Sequence, residues 1–228
     1  MNWVKKLVSV SVVVLGMLGW AESGSAANES SPHAEAGSIQ LRNFVKKVHR
    51  AQGRFVQQTS TADGQRQPKQ EGYFAFNREK GQFLWRVEHP YEQLVLADGQ
   101  RFIQYDPDLS QATERGIEDT VGRSPAALLF GSRRIDQAFD IQDESDVPFD
   151  EAMASQLSWL RAYPKEGEAG FEYIAMGFKD GLPEQLIIID GFGQRTTIQL
   201  LEMQPDAPLA ADTFQFEPPA GVDYVRLQ

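Results

Sequence analysis

The sequence predicts a mainly β protein with a few helices, built around one largely antiparallel sheet. Between residues 71 and 105 apolar side chains recur at every second position, as at Phe74 and Phe76, which is the period of a half-buried strand. Asp-Gly dipeptides, which tolerate positive φ and are typical of tight reversals, begin at Asp63, Asp98, Asp180 and Asp190. So many tight turns indicate a meander of antiparallel strands.

The amino terminus has the features of a secretory signal peptide, which we assign to residues 1–27. A head containing Lys5 and Lys6 precedes an uncharged, mostly apolar run over residues 7–20. This run is shorter than the roughly 20 residues of a membrane-spanning helix, and we expect cleavage after Ala26 or Ala27. The chain has no cysteine to carry a lipid anchor or a disulfide. The mature protein is therefore expected to be soluble.

The remaining chain is expected to hold a flexible leader and one domain. Residues 28–37 are small and polar without a helical or strand period, and residues 38–228 fit a single β domain. The full chain has 22 basic and 32 acidic residues. Removal of the signal peptide leaves 20 basic and 31 acidic residues, so the mature chain has a net charge of −11. Such a charge argues against a nucleic-acid partner.

An amphipathic helix of about 13 residues is predicted at the start of the domain. Ser38 is a candidate N-cap, and four apolar residues follow with helical spacing on one face: Leu41, Phe44, Val45 and Val48. We expect Gly53 to end the helix and residues 54–59 to form the first strand.

Later elements follow from the same reasoning. Strands are predicted around Phe74, Phe83, Leu94 and Ile103 and over residues 157–163, 171–178, 185–190, 195–201 and 213–216. Ser124 and Pro125 can begin a short helix that Gly131 ends, and residues 150–156 are a weaker helical candidate. Pro218 and Pro219 block continuation of the last strand.

The sequence contains no pattern that predicts catalysis, a metal or a cofactor. The histidines, His33, His49 and His89, are far apart, and neither a nucleophile elbow nor a phosphate-binding glycine loop is present. Five carboxylates lie near predicted strand ends, where solvated surface is the expected role: Glu71, Glu88, Glu92, Asp106 and Asp108. We therefore expect no enzyme activity.

Several blocks in the same order resemble the outer-membrane lipoprotein carrier protein family, LolA. The strongest, residues 90–113, reads PYEQLVLADGQRFIQYDPDLSQAT and is similar to the family's long hairpin. Shorter blocks match at FVQ (55–57), EGYF (71–74), FLW (83–85), SPAALL (124–129) and FQFEPPAGV (214–222). The likeness covers most of the mature chain except the leader and residues 132–156.

The resemblance implies an unclosed antiparallel β-barrel, or half-barrel, of eleven strands covered by a helical lid. It implies a monomeric periplasmic chaperone that takes acylated lipoproteins from an inner-membrane ABC-type releasing complex and delivers them to an outer-membrane receptor. No cofactor is implied. The absence of a nucleotide motif means that a partner must supply the energy for loading.

The family also implies roles for particular residues. Arg78 matches an arginine that donates hydrogen bonds to backbone carbonyls of the helical lid, although Glu79, Lys80 and Gly81 make the following loop one residue longer than in many relatives. Because of this departure, either the loop is looser than in those relatives or the latch, meaning the arginine that holds the lid, is displaced. The alternative is that Arg78 is a solvated turn residue without this role. The residues expected to line the acyl-chain cavity, with core packing as the alternative, are Phe83, Trp85, Val95, Leu128 and Leu129.

Two other functions stay open from the sequence. A related half-barrel could bind free lipid or glycolipid, or sense mislocalised lipoproteins. A periplasmic hydrolase would need a buried pair of carboxylates in a cleft, and the sequence indicates no such pair.

Overall fold

The computed structural model describes residues 35–116, 129, 135–144, 156–165 and 170–227. Among these residues, the helices α1 (Gly37–Lys47) and α2 (Ile135–Ala138) accompany one sheet. The strands are β1 (Arg50–Ser60), β2 (Gln70–Asn77), β3 (Gln82–His89), β4 (Gln93–Asp98), β5 (Arg101–Asp106), β6 (Gln111–Gly116), β7 (Phe139–Glu144), β8 (Ser158–Pro164), β9 (Tyr173–Lys179), β10 (Leu182–Ile189), β11 (Arg195–Pro205) and β12 (Asp223–Arg226).

The described strands form a single open sheet of two meanders. Its order is β12-β6-β5-β4-β3-β2-β1-β11-β10-β9-β8-β7, so β1 and β11 join the meander β1–β6 to the meander β7–β11. Neighbours are antiparallel except β12, which runs parallel to β6. The predicted mainly β, unclosed half-barrel class is confirmed, with twelve strands among the described residues where the resemblance implied eleven.

The two faces of the sheet bury different clusters because side chains alternate along each strand. The larger cluster, which we call the inner core, joins the apolar stripe of α1 to residues such as Phe55, Phe76 and Leu160. On the opposite, outer face, Phe214 packs beside Leu84 and Leu96. The inner face is therefore the one that the helix covers.

The beginning of the domain differs from its prediction in three ways. The helix has 11 residues and begins at Gly37, which the sequence assigned to the leader. Ser38 is not the N-cap, because Ala36 holds that position without a side-chain cap. Gly53 does not end the helix but lies inside β1, where the pairing with β11 shifts register between Gln52 and Arg54. A strand glycine at such a bulge allows close approach, here to the Phe74 ring.

The end of the chain also corrects the prediction. Residues 213–216 are not a strand: Phe214 and Phe216 instead pack against the outer face. The last strand, β12, begins after Pro218 and Pro219. Residue alternation did not predict helix α2 or the strands β6 and β7.

Several predictions lie outside the described residues. These are the signal peptide, residues 28–34 of the leader, the helix of residues 150–156 apart from Gln156, and the helix that begins at Ser124 apart from Leu129, which is helical. Within the described ranges, no helix has the length and apolar character needed to cross a membrane.

Candidate functional site

The candidate site is the inner face of the sheet together with the helix that covers part of it. Helix α1 contacts β7, β8, β9 and β10. All four residues of its predicted apolar stripe are buried. Leu41 and Phe44 are buried completely or nearly so, and Val45 and Val48 are also buried. The helix is amphipathic because its opposite face is polar, and this packing fixes which face meets the sheet.

Strand β7 supplies the hydrogen-bonding partner for the amino terminus of α1. The backbone N–H of Ser38 donates to Asp143 Oδ1 at 2.7 Å, and its hydroxyl donates to Asp143 Oδ2 at 2.6 Å. A carboxylate here satisfies a free helix N–H and interacts favourably with the positive end of the helix dipole. The cap thus comes from a residue 105 positions along the chain.

Close backbone packing and a buried glutamine further attach this helix. A Cβ at Gly37 would lie 2.7 Å from the carbonyl carbon of Trp159, so only glycine lets the helix approach β8 this closely. Gln40 is buried, with its Oε1 accepting from the N–H of Gly181 at 2.9 Å. The turn between β9 and β10 therefore also holds α1.

Arg78 fastens the carboxyl end of the same helix. It follows β2 directly, and its Nε donates to the carbonyl of Val48, the C-cap residue of α1, at 2.9 Å. The guanidinium also lies over the rings of Phe44 and Phe76, 4.9 and 4.7 Å from their centroids. Such stacking favours arginine over lysine. Arg78 is thus not the solvated turn residue of the alternative interpretation.

The turn after Arg78 is compact despite its extra residue. The Gly81 N–H donates to the Arg78 carbonyl at 3.2 Å, and the Lys80 N–H donates to Asn77 Oδ1 at 3.3 Å. Gly81 has φ of 62°, which accommodates the reversal. Two hydrogen bonds thus close the turn around the extra residue.

Burial of Arg78 changes its acidity without removing its charge. Desolvation lowers the pKa of its guanidinium to about 10. Because this pKa is still well above neutrality, the side chain is charged at pH 7. The free-energy cost of burying the charge is therefore constant below about pH 10 and declines only at higher pH.

Three of the five predicted cavity residues share the inner face of neighbouring strands. Phe83 belongs to the inner core, and Trp85 and Val95 pack against it half-buried. Trp85 and Val95 are direct partners in the pairing of β3 with β4, and the Trp85 ring stacks on Phe55 with centroids 3.7 Å apart. The parity assumed from the sequence thus brings these side chains together.

The other two residues were predicted to lie in a short helix. Leu129 is helical, buried to 3% exposure and part of the same inner core. Leu128 lies outside the described residues. Four of the five residues therefore share one apolar cluster.

Open grooves border the cover of the inner face. One of about 440 Å³ lies between α1 and α2, with Leu41, Val45, Ile135 and Ile141 among its walls. A second, of about 530 Å³, lies along the other side of α1 near Phe178 and Leu182. Both grooves combine apolar side chains of the inner core with polar and charged side chains at their rims.

The carboxylates near strand ends do not form a buried pair. Glu71, Glu92 and Asp108 are exposed, Glu88 contacts Arg54 at 2.9 Å, and Asp106 accepts from the N–H of Leu109. Among the described residues no group of three or more acidic or histidine side chains is arranged to hold a metal ion.

Sequence reasoning missed Asp143 and Gln40. Gln40 follows the predicted helix start and is a polar residue next to its apolar stripe, but nothing local marks it as buried. Asp143 lies in a stretch without a recognisable pattern. Their partners are distant in sequence, so only the folded chain identifies them.

The fold and this site together define a class: an open β half-barrel whose apolar inner face is covered by helices instead of a second sheet. A family model described as "Outer membrane lipoprotein carrier protein LolA" matches residues 46–217. The chain belongs to this family.

Individual relatives agree with the assignment. The sequence is 43% identical over 194 residues to the outer-membrane lipoprotein carrier protein of Bordetella avium, covering 85% of this chain and 89% of the relative. It is 38% identical over 203 residues to the protein of the same name from Cupriavidus taiwanensis, covering 88% of this chain and 92% of the relative.

A solved structure shares the fold at low sequence identity. An uncharacterized conserved protein from Thermus thermophilus superposes with a TM-score of 0.53 at 12% identity, covering 83% of this chain and 99% of the other.

Proposed function

We propose that this protein carries acylated lipoproteins through the periplasm and shields their acyl chains on the inner face of the half-barrel. The observation that supports this most directly is an apolar face covered by a helix, in a chain of the lipoprotein carrier family. A covering helix can be displaced more readily than a paired strand, because displacing it breaks no sheet hydrogen bonds.

The energetics define what such a carrier must provide. Burial of each CH₂ is worth roughly 0.8 kcal/mol, so one acyl chain of about fifteen methylenes costs on the order of 12 kcal/mol to expose to water. An acylated protein therefore needs an apolar surface throughout an aqueous crossing. The carrier must offset the cost reversibly, since delivery requires release.

We assign the acyl-contacting surface to Phe83, Trp85, Val95, Leu128 and Leu129. The shared inner face of the first three and the burial of Leu129 in the same core support this assignment. In the empty protein Phe83, Trp85, Val95 and Leu129 belong to one apolar cluster, and acyl chains replace part of its contacts when the helical cover moves. Loading then exchanges one set of apolar contacts for another.

Arg78 acts in this scheme as the latch of the closed form. Its hydrogen bond to the Val48 carbonyl and its stacking on Phe44 hold the end of α1 against the sheet. Losing the latch favours the open, loaded form over the closed, empty one. The latch therefore promotes release more than uptake.

The partners follow from the direction of transport. An inner-membrane ABC-type complex releases lipoproteins to this protein and supplies the energy, and an outer-membrane receptor accepts them. The carrier works as a soluble monomer in the periplasm after its signal peptide is removed. It needs no catalytic group, metal or cofactor.

Depletion of the protein tests the proposal in cells. Outer-membrane lipoproteins should accumulate at the inner membrane, as measured by membrane fractionation and immunoblotting, while non-lipidated outer-membrane proteins should keep their distribution. Normal lipoprotein sorting after depletion would refute the assignment.

Mass spectrometry of the purified periplasmic protein separates lipoprotein carriage from its alternative. Triacylated peptides or intact lipoproteins should co-purify. Free phospholipid or glycolipid without lipoprotein would instead identify a lipid-binding relative.

A further inference from the structure

A small basic pocket lies on the outer face of the sheet, opposite the covered inner face. It occupies about 220 Å³ where β1 pairs with β11. Phe55 and Ile198 face the inner core, so the alternate residues Gln58 and Thr197, which are direct partners, face outward into this pocket. The pocket is therefore separate from the acyl-binding surface.

The charge of the pocket is opposite to that of the whole chain. Arg66, Lys69 and Arg195 line it together with uncharged hydrogen-bonding side chains, and no carboxylate is among its described lining residues. The full chain carries a net charge of −10. A concentration of three cations around uncharged hydrogen-bonding groups suits an oxyanion.

Hydrogen bonds hold the loop that supplies Arg66 and Lys69. On either side of Arg66, the Gln65 carbonyl accepts from the N–H of Thr61 at 2.9 Å, and the N–H of Gln67 donates to the Thr59 carbonyl at 2.8 Å. Asp63 is turned into the loop and accepts hydrogen bonds from Thr61 and Gln65. Its carboxylate is therefore engaged in hydrogen bonds within the loop and does not line the pocket.

A nearly fully exposed aromatic residue lies in the hairpin that leads to Arg195 of the pocket. Phe192, at the tip of the hairpin between β10 and β11, is 92% exposed and lies three residues before Arg195. The tip is held in shape by Asp190, whose Oδ1 accepts from the N–H groups of Phe192 and Gln194 at 2.9 and 2.8 Å. A Cβ at Gly193 would lie 3.3 Å from Ala62, so the two loops are in contact.

We propose that this end of the sheet docks on an anionic phospholipid surface, with the pocket binding a headgroup phosphate and Phe192 entering the interfacial region. Aromatic side chains favour the membrane interface, and basic residues are attracted to anionic headgroups. Phosphate is small enough for the pocket, and arginine presents paired donors to its oxygens. The net negative charge of the rest of the chain repels such a surface, so contact occurs only in this orientation.

Vesicle sedimentation with the mature protein tests the docking. The wild type should pellet with vesicles of phosphatidylglycerol and phosphatidylethanolamine at low salt, and not with pure phosphatidylcholine. The double variant Arg66→Gln/Lys69→Gln should bind about 25-fold more weakly, at about fivefold per charge. Phe192→Ser should weaken binding several-fold, and both variants change exposed side chains only.

A matched control removes two exposed lysines at the opposite end of the strands. Lys80→Gln/Lys179→Gln should bind the vesicles like the wild type. If this control loses as much binding as Arg66→Gln/Lys69→Gln, the effect is one of net charge alone, and the proposal is overturned. Absence of wild-type binding to the anionic vesicles would overturn it as well.

Titration with glycerol 1-phosphate, followed by NMR, identifies the source of the phosphate. Binding should be lost in Arg66→Gln/Lys69→Gln and kept in Phe192→Ser. Glycerol phosphate binding by a protein that does not bind anionic vesicles would mean a free phosphate ligand and refute membrane docking. Uptake of a triacylated peptide, measured on the same variants, should be unchanged, so failure of docking and failure of the carrier function are distinguishable.

Discussion

At the scale of single residues, Arg78 links the helical cover to the sheet through one charged side chain. It donates to the Val48 carbonyl and lies over two phenylalanine rings, and it remains charged because its lowered pKa of about 10 is far from neutrality. A hydrogen bond from a charged group contributes about 1.5–3 kcal/mol. If Arg78 is the proposed latch, loss of this one side chain should alter the balance between closed and open forms.

Replacing Arg78 by leucine should slow release more than uptake. Arg78→Leu keeps apolar contact with Phe44 but has no donor for the Val48 carbonyl, so the closed form loses stability relative to the loaded one. Transfer of a lipoprotein from the purified carrier to acceptor membranes should slow roughly tenfold or more. Arg86→Leu, at an exposed position on the outer face, is the matched control. Delivery at the normal rate by Arg78→Leu would exclude the latch role.

A carboxylate at Phe83 should abolish acyl binding. Phe83 is 6% exposed in the inner core, and an ionised group there cannot contact an acyl chain without being desolvated. Phe83→Glu should lose uptake of a fluorescent triacylated peptide. Leu84→Glu provides the control, because Leu84 is equally buried on the outer face. Uptake is compared at equal folded fraction, and normal uptake by folded Phe83→Glu would remove Phe83 from the site.

At the scale of elements, α1 owes its position to contacts from both meanders. Asp143 and Gly181 belong to the β7–β11 meander and hold its amino-terminal half, while Arg78 from the β1–β6 meander holds its carboxyl end. The helix has only 11 residues, a length that is marginal in isolation. Its stability therefore comes from tertiary packing and these end contacts.

Removing the carboxylate of Asp143 should loosen the amino-terminal turn of α1. Asp143→Ala deletes both acceptors used by Ser38, and loss of a helix cap costs about 0.5–2 kcal/mol. Urea unfolding should report a decrease in this range, and hydrogen exchange should accelerate at the first amides of α1. Asp140→Ala on the same strand is the control, and equal exchange in the two variants would show that the cap is unimportant.

At the scale of the whole molecule, one pairing unites the two halves of the sheet. Strand β1 pairs with β11 from Ala51 to Ser60, and the inner core contains residues from both meanders. Breaking this pairing would expose the core of each half. The described domain should consequently unfold as one cooperative unit.

The tryptophans offer a test of this cooperativity. Trp3 and Trp20 fall in the predicted signal peptide, and the mature chain then keeps Trp85 in β3 and Trp159 in β8, one in each meander. In Trp85→Phe and in Trp159→Phe, fluorescence and circular dichroism should give coincident urea transitions. Separate transitions for the two reporters would mean that the meanders unfold independently.

Features that depend on neighbouring residues could be predicted from the amino-acid order alone. Alternation predicted the strands around Phe83 and Leu94 and the shared inward face of Phe83 and Trp85, and helical spacing predicted the stripe of α1. Asp98-Gly99 and Asp180-Gly181 predicted two tight turns that form, because positive φ is a local property. The family resemblance added Arg78.

Features whose partners are distant in the chain emerged only from the folded protein. The sequence made Ser38 a cap and Gly53 a helix end, whereas Asp143 caps α1 and Gly53 fits a bulge between β1 and β11. It placed a strand at residues 213–216, whose phenylalanines instead cover the outer face, and it did not predict the parallel pairing of β12 with β6. Hydrogen-bond partners across the sheet and the choice of covered face depend on contacts between distant segments, and no local period encodes them.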